Sequence, residues 1–508
     1  MALSSTPTAH LQFIPPFLAL ALSSLLQLFT PETHASEPSD TNKSWGTSSL
    51  IAKNHPTLGA SSCAATACHG GPAAGVSSTS AIRGSEYPLW LESDPHAKSW
   101  QTLNSPKSLD ILRRLNIVVD GILLNTPAFK NCLACHNSST ELASNLPLPK
   151  TPEGVGCEAC HGPADQWNYE HYQGPHSLQH AIENLGMVNT KYLPTQAKTC
   201  TLCHVGAPDR DMNHDIIAAG HPALYFDFNT YIQAYPKHWR LPTDYQSNTD
   251  RPSQQWLAGQ LAAADSELEL LQTRLTANHH SNSTSSSSPP SISNWPEFAS
   301  FQCTDCHQPL SNSLTTKRTP PGQPSPRLWN LQALWILNLP SVPTTLPPPL
   351  DALSLTSNNP RDSQILDIQI QRKKLYHQSQ SLFPSNASAK WQTADQRQYA
   401  SNLWKHLDQN QPSPNWEITS LAYIASLPAF ESKTNPPTPL IQSQLSILRE
   451  SLLFPPNSQS PRTSPPPTTS PPPRTSTNIQ WNSSPTPLFD ALPLFDALPL
   501  FDAPSDTP

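Results

Sequence analysis

The sequence is short of the residues from which a large conventional core is built. Of 508 residues, 36% are hydrophobic and 13% are charged, and only one of the 16 glycines, Gly322, lies beyond residue 259. Globular domains average about 45–50% apolar and about 25% charged residues. The composition, with its 58 prolines, therefore argues against an aliphatic core throughout the chain. It also argues against a charge-driven disordered protein, which requires a high net charge.

Strongly basic segments are also missing. The formal net charge is −7, and residues 36–310 carry 16 Lys and Arg against 24 Asp and Glu. Nucleic-acid-binding domains concentrate Lys and Arg on one face, so nucleic acid is not an expected partner. An acidic front half instead favours small cations or protein partners with a basic docking surface.

Long apolar runs are nearly absent, and the one that exists lies at the N-terminus. Residues 13–29 are mostly apolar and lead to a small-x-small pattern at Thr33-His34-Ala35, which predicts a secretory signal peptide over residues 1–35. An uncleaved membrane anchor is the alternative, but Pro15, Pro16 and a length below ~20 residues argue against it. We expect the mature chain to be periplasmic or otherwise exported, with no membrane span once the signal is removed.

No cysteine stands alone. The ten cysteines form five close pairs, and a histidine directly follows the second member of each pair. The sets are Cys63, Cys68 and His69; Cys132, Cys135 and His136; Cys157, Cys160 and His161; Cys200, Cys203 and His204; and Cys303, Cys306 and His307. The last four have the spacing C-x-x-C-H, whereas the first has four residues between its cysteines.

Three kinds of site use paired cysteines. Export makes disulfides the usual expectation, and two C-x-x-C pairs can form a zinc ribbon, but neither explains the histidines. Covalent attachment of c-type haem explains every residue of the sets, because two thiols bond the haem vinyl groups and the adjacent histidine ligates the iron. The sequence therefore predicts five covalently bound haem c groups, whose flat apolar rings would form the missing core. A disulfide or a free thiol pair remains the alternative for Cys63 and Cys68.

Methionine is too rare to be the common second axial ligand. Only Met187 and Met212 lie beyond the signal region, so histidines are the expected distal iron ligands. Sequence context ranks the candidates in the order His96, His171, His221, His238 with His214, and His55. The setting of His96 is the best defined, since Asp94 can cap a helix that Pro95 begins.

The order of these motifs resembles the cytochrome c554 family of multihaem cytochromes. The similarity covers roughly residues 55–240. It is carried by the first motif with His69, by Asp94-Pro95-His96-Ala97-Lys98, by the second and fourth motifs, and by His171. Its most specific part is Gly154-Val155-Gly156-Cys157-Glu158-Ala159-Cys160-His161-Gly162-Pro163.

This resemblance implies a mainly α, loop-rich fold organised around stacked haems, with few or no β-strands. It implies that His96 and His171 are distal ligands to haems whose motifs lie elsewhere in the chain, and that the haem on His136 can lack a distal ligand. The widened first motif and the fifth motif depart from the family pattern. The partner of the best-known member, hydroxylamine oxidoreductase, therefore does not transfer to this chain.

Composition divides the chain beyond the signal into three parts. Residues 36–310 are expected to form the pentahaem domain, with a Ser-rich linker at 278–294 and a helix at 256–275 that a Leu/Ala stripe predicts. Residues 311–454 are predicted to be a helical extension, with helices at 393–408, 414–427 and 440–453. Residues 455–508, rich in proline and ending in LFDALP repeats, are predicted to be a disordered tail.

These features predict an exported multihaem c-type cytochrome that transfers electrons between redox partners and is more a carrier than an enzyme. The alternative is a haem enzyme that acts on nitrite, hydroxylamine or nitric oxide at a five-coordinate haem. A third reading is a scaffold subunit of a larger electron-transfer complex, which would use the helical extension and the tail. The spin state of the iron distinguishes a carrier from an enzyme.

Overall fold

The computed structural model describes only part of the chain. Its residues are 45, 56–71, 84–119, 122–123, 127–138, 153–239, 248–277, 297–301, 331–337, 361–385, 387–410, 416–430 and 445. The predicted signal peptide, Ser-rich linker and tail, the fifth motif and almost all of the predicted helix at 440–453 lie outside these residues. Within them, no helix is both long enough and apolar enough to cross a membrane.

The described residues are mainly helical, as predicted. In chain order the helices are α1 (Glu86–Ser93), α2 (Ser99–Thr102), α3 (Pro106–Arg114), α4 (Pro127–His136), α5 (Cys157–His161), α6 (Ser177–Asn184), α7 (Leu193–His204), α8 (His214–Ala218), α9 (Phe228–Ala234), α10 (Arg251–Ala277), α11 (Gln332–Leu337), α12 (Arg361–Leu382), α13 (Thr393–Asn410) and α14 (Trp416–Phe430). Short 3-10 turns lie at Ala60–Cys63, Pro95–Lys98, Glu170–Tyr172 and Phe298–Ser300. Two short strands, β1 (Val118–Val119) and β2 (Ile122–Leu123), pair antiparallel with Val118 opposite Leu123.

Helix α10 forms the centre of the largest hydrophobic cluster. The Leu/Ala stripe predicts a helix at 256–275, and α10 extends beyond it at both ends. The side chains of Trp256, Leu261 and Leu268 are fully buried, and burying each stabilises the fold by about 1.5–3 kcal/mol. Helices α7, α9, α11, α12 and α14 all pack on α10. Gly259 permits the contact with α9, because a Cβ there would lie 2.5 Å from the Cβ of Phe228. Helix α10 therefore connects the fourth-motif helix, α7, to the C-terminal helices.

A buried ionic network fastens α7 to α10 and α12. Lys198 of α7 is fully buried, and its Nζ donates to Asp265 Oδ2 at 2.6 Å and to Ser266 Oγ at 2.8 Å. Arg372 of α12 donates to the other oxygen of Asp265 at 2.8 Å and pairs with Glu269 at 3.1 Å. Burial alone would raise the pKa of Asp265, but the two cations outweigh it and hold the pKa below its usual range. The network thus balances two cations with two carboxylates inside the protein.

We expect Lys198→Ala to lower the unfolding free energy of the holoprotein by about 3–5 kcal/mol, because it leaves the buried Asp265 carboxylate with one cation fewer. Urea unfolding followed by far-ultraviolet circular dichroism measures the loss. Arg113→Ala is the matched control, since it breaks the exposed ion pair with Asp110 and should cost only about 0–1 kcal/mol. Equal losses in the two variants would show that the buried network contributes no more than a surface pair.

Candidate functional site

Three of the C-x-x-C-H motifs lie at helix ends. The second motif ends α4 at His136, the third is the whole of α5, and the fourth ends α7 at His204. Residues three apart lie on one face of a helix, so both thiols of such a pair face the same side. The first motif differs, because the turn Ala60–Cys63 precedes a loop that carries Cys68 and His69.

Two carboxylates near the third motif hold the first motif in place. Glu158 accepts hydrogen bonds from the backbone N–H groups of Leu58 at 3.0 Å and Gly59 at 2.7 Å. Glu153 accepts one from the N–H of Ala60 at 2.6 Å. These bonds satisfy N–H donors that the start of a helical turn leaves without partners. The first and third motifs are therefore neighbours in space.

The segment that precedes the third motif also positions His96. The N–H of Val155 donates to the His96 carbonyl at 2.9 Å, and the indole of Trp90 donates to the Val155 carbonyl at 3.0 Å. A Cβ on Gly154 would overlap the His96 carbonyl oxygen, so glycine is required for this approach. Asp94 caps the turn Pro95–Lys98, as predicted, and accepts from the His96 N–H at 3.0 Å.

Four motif histidines each face one of the predicted distal histidines. The ring centroids are 6.2 Å apart for His69 and His171, 6.1 Å for His204 and His96, 6.5 Å for His136 and His221, and 6.5 Å for His161 and His238. The two members of each pair come from different elements of the chain. The fold therefore brings together four pairs that the spacing of residues in the sequence does not specify.

The separation of the rings fits a metal ion between two imidazoles. An imidazole nitrogen binds a metal at about 2 Å, so two on opposite sides of one ion are about 4 Å apart and their ring centroids about 6 Å apart. Each motif supplies two thiols and one imidazole, and the facing histidine supplies a second imidazole. Together they form the donor set of a covalently attached haem with two axial histidines. The described residues thus fit the group that the motifs predict.

Most of these rings also have a partner for the second nitrogen. The Nδ1 atom lies 3.1 Å from Glu86 Oε2 in His69, 2.9 Å from Asp94 Oδ1 in His96, 3.0 Å from the Ser99 carbonyl in His136, 2.8 Å from the Asn168 carbonyl in His171 and 2.8 Å from the Pro222 carbonyl in His221. An Nδ1–H that donates to oxygen leaves the lone pair on Nε2. Metal-ligating histidines adopt this arrangement, in which the outer partner fixes the orientation of the ring.

The third and fourth motif histidines are the most enclosed. Burial lowers the pKa of His161 and of His204 to about 4, so both rings are neutral at ordinary pH and keep a lone pair for a metal. His238, which faces His161, differs from the other distal candidates because its buried Nδ1 has no hydrogen-bond partner among the described residues. Its ring lies 5.2 Å from that of Trp239.

A glycine turn positions His221. Helix α8 ends at Ala218, and Gly220 has a φ of 114°, a value that L side chains rarely adopt. Arg114 holds the turn by donating to the Ala219 carbonyl at 3.1 Å. The family resemblance implies that the haem on His136 can lack a distal ligand. In the structure this turn places the ring centroid of His221 6.5 Å from that of His136.

His214 lies next to Phe298 and Glu297. Its ring lies 5.6 Å from that of Phe298, and its backbone N–H donates to Glu297 at 2.8 Å. Phe298 precedes Cys303 by five residues in the sequence. His214 thus lies beside the segment that leads into the fifth motif. Cys303, Cys306, His307 and the weaker candidate His55 lie outside the described residues.

Other contacts join neighbouring motifs. The N–H of Gly59, just before the first motif, donates to Glu158 of the third at 2.7 Å, and Cys203 Sγ of the fourth lies 4.0 Å from the Ala134 carbonyl of the second. The ring of Tyr235 lies 5.8 Å from His96 and 6.2 Å from His238, which belong to the pairs of the fourth and third motifs. These contacts arrange the motifs in the spatial order first, third, fourth, second.

The alternative uses of paired cysteines receive no support from the described residues. None of the eight described cysteines forms a disulfide. In the same part of the chain, no three or more His, Cys, Asp or Glu side chains converge as they would in a zinc site.

Two residues of the site have no signal in the sequence. Glu86 accepts a hydrogen bond from His69, and the hydroxyl of Tyr235 donates one to Asp94, the partner of His96. Both residues therefore act on a candidate axial histidine from another segment of the chain. An isolated glutamate or tyrosine in the sequence gives no indication of such a contact, because the spacing to its partner follows no periodicity.

Comparison with known families adds one match. Residues 62–162 match a family model described as cytochrome c554 and c-prime. The matched segment begins one residue before Cys63 and ends one residue after His161, so it contains the first three motifs and His96. No curated protein and no solved structure matches the chain.

Proposed function

We propose that the chain is an exported electron carrier with five covalently bound haem c groups. The match of residues 62–162 to the cytochrome c554 and c-prime family model supports a c-type cytochrome that takes part in electron transfer. Bound haem supplies a one-electron iron couple, and the protein supplies its ligands and surroundings. In this proposal, residues 1–35 are the export signal, 36–310 the haem domain, 311–454 a helical extension and 455–508 a tail.

The four pairs of facing histidines are the observation that carries the proposal. We assign the axial pairs as His69 with His171, His136 with His221, His161 with His238, and His204 with His96. For the fifth haem we assign His307 with His214, because His214 lies against Phe298 close to the start of that motif. The cysteines that precede each motif histidine hold the haem in place.

The residues around the pairs suit electron transfer. If both histidines of a pair held the haem iron, no position would remain at which a substrate could bind. The carboxylate and carbonyl acceptors of the Nδ1 atoms hold five of the rings in fixed orientations. The contacts of Gly59 with Glu158, of Tyr235 with His238 and His96, and of Cys203 with the Ala134 carbonyl support a relay in the order first, third, fourth and second haem.

The alternative function, a haem enzyme for nitrite, hydroxylamine or nitric oxide, needs an open position at one iron. Among the described motifs, the family resemblance points to His136 for that role. The ring of His221 lies next to that of His136, with the two centroids 6.5 Å apart. This observation favours the carrier over the enzyme.

We expect the purified mature holoprotein to carry five covalent haems, because each of the five cysteine pairs has its histidine. Intact-mass spectrometry counts them directly. The double variant Cys303→Ser/Cys306→Ser is the control and should carry one haem fewer. Four haems in the unaltered protein, with Cys63 and Cys68 joined in a disulfide, would show that the widened first motif binds no haem.

The carboxylate of Asp94 is expected to lower the reduction potential of one haem. Asp94 is 1% exposed and accepts from Nδ1 of His96 at 2.9 Å, which makes the imidazole a stronger donor to the iron. Asp94→Asn should raise that potential by roughly 65–130 mV, since a hydrogen bond to a charged group is worth about 1.5–3 kcal/mol and about 59 mV corresponds to a tenfold change for one electron. Spectroelectrochemical titration of the holoprotein measures the shift.

Glu86→Gln provides the matched comparison for Asp94→Asn. Glu86 makes the same type of bond to His69, but these side chains are 25% and 43% exposed, and solvent screens their interaction. The shift should therefore be smaller than for Asp94→Asn. An equal or larger shift from Glu86→Gln would contradict the role of burial at Asp94.

A further inference from the structure

We infer that the first-motif end of the relay is a docking surface for a redox protein that carries Lys and Arg around its own redox centre, and that the surface is centred on Tyr169, Glu170 and Tyr172. The inference rests on the proposed carrier function and locates the place where a partner binds. We call these three residues the tyrosine patch.

Exposure sets the first motif apart from the other described motifs. Cys68 is exposed, whereas the other seven described cysteines are partly covered. The His69 side chain is 43% exposed. A carrier exchanges electrons with its partner where a redox group comes close to the surface. Among the described motifs, the first one best meets that condition.

The tyrosine patch connects to the first axial pair through a series of ring contacts. Tyr169 and Tyr172 are 66% and 57% exposed, and their ring centroids lie 5.7 Å apart. The Tyr172 ring lies 5.2 Å from that of His171, whose centroid is 6.2 Å from that of His69 with an angle of 16° between the two ring planes. Tyrosine is enriched in protein interfaces because it combines a large apolar ring with a hydroxyl group. The patch is therefore placed to contact a partner close to the first haem.

Charge indicates the kind of partner. The described residues 56–71, 84–97 and 162–190, which include the first pair and the tyrosine patch, contain no Lys or Arg. Their exposed or partly exposed acidic residues are Glu86, Glu92, Asp165, Glu170 and Glu183. A surface of one sign attracts a partner of the opposite sign and raises the association rate. The first-motif end therefore fits a basic partner.

The second-motif end of the relay has the opposite charge. Residues 98–119 and 127–138 contain Asp110 as their one acidic residue, against Lys98, Lys107, Arg113, Arg114 and Lys130. Lys107 is exposed and lies close enough to His221 for its charge to act on that ring. The two ends of the relay should thus react with redox reagents of opposite charge, which makes the docking surface testable.

The test uses two inorganic oxidants of equal and opposite charge. The reduced holoprotein is mixed with hexaammineruthenium(III), a trication, or with ferricyanide, a trianion, in a stopped-flow instrument at low salt. Glu170→Gln should slow oxidation by the ruthenium complex roughly two- to threefold and leave the ferricyanide rate unchanged. Lys107→Gln, the matched control, should slow ferricyanide and leave ruthenium unchanged. Both effects should vanish near 1 M salt, where the screening length is about 3 Å.

The outcomes separate the docking surface from the carrier function. A holoprotein that reacts with neither oxidant contradicts the proposed function. A holoprotein that reacts, but in which Glu170→Gln leaves the ruthenium rate unchanged or slows both oxidants equally, contradicts the docking surface alone.

A basic protein probe tests the aromatic part of the patch. Mitochondrial cytochrome c, a small basic haem protein, replaces the ruthenium complex as oxidant. Tyr169→Ser should lower its rate roughly twofold or more, because interface aromatic residues contribute a large share of binding. Leu366→Ser is the control, since Leu366 is 56% exposed on α12, outside the patch. Equal effects of the two variants would overturn the inference.

Discussion

Replacing His96 by alanine is expected to convert one haem to high-spin, ligand-accessible iron while all five haems stay attached. A neutral imidazole holds ferric iron low-spin, and the ring of His96 faces that of His204 at 6.1 Å. Removing this ring opens one side of the iron, whereas the thiols that attach the haem are unchanged. The electron paramagnetic resonance spectrum of the oxidised variant should show one high-spin haem, and the variant should bind one more cyanide or nitric oxide than the unaltered protein.

The control for His96→Ala is His180→Ala. His180 lies on the exposed face of α6, where its Nδ1 is 3.1 Å from the side-chain nitrogen of Asn184, so its removal should change neither spin state nor ligand binding. If His96→Ala also matches the unaltered protein in both measurements, His96 is an ordinary histidine. The assignment of a distal ligand would then have to move to His55 or His214.

The second large effect is expected for His221→Ala. The variant should show one high-spin haem, on His136. The turn at Gly220 brings the His221 ring next to that of His136, so the variant removes the second axial ligand of that haem. Cyanide or nitric oxide should bind at one additional site per protein. The same spectroscopy measures both changes, and the reduced variant should then resemble the enzyme alternative in having an accessible iron.

The double variant His96→Ala/His221→Ala provides the internal check. The two histidines belong to different pairs, so their effects should add and produce two high-spin haems. If His221→Ala instead leaves an already high-spin signal unchanged, the haem on His136 is open in the unaltered protein. That result would favour the enzyme alternative.

The candidate residues of the site could be predicted from the sequence, but their pairing could not. The motifs identify His69, and a capped turn favours His96, because both signals are local. The partners of these residues, His171 and His204, lie far along the chain. Only the fold determines which rings meet, through contacts such as that of Gly154 with the His96 carbonyl. The rings of the four pairs lie near one another in the structure, and ligation itself remains a prediction.

Helices with simple apolar stripes were also predictable, whereas helix α12 was not. Most of the buried side chains in α12 are polar: Gln364, Gln371, Gln378 and Ser379 are buried beside Ile368, Leu375 and Leu382. A search for apolar periodicity detects less than half of such a face.

Helix α13 begins at the predicted residue, but the side chain of Gln396 has a different role from the predicted one. Thr393 and Gln396 suggest a capping box, and the helix does begin at Thr393. Gln396, however, is buried, accepts from the Trp391 indole at 2.8 Å and donates to the Ala425 carbonyl at 2.6 Å. A side chain that can cap a helix locally is used here for a contact with α14, because the fold supplies a buried partner that the local sequence does not show.

The electron paramagnetic resonance spectrum of the oxidised holoprotein tests the central claim most directly. If each iron has two axial histidines, as the four facing pairs and the assignment of His214 predict, every haem is low-spin and the protein takes up no cyanide or nitric oxide. A high-spin signal in the unaltered protein, with uptake of one ligand per molecule, would mean that one iron is open and that the chain is not solely a carrier.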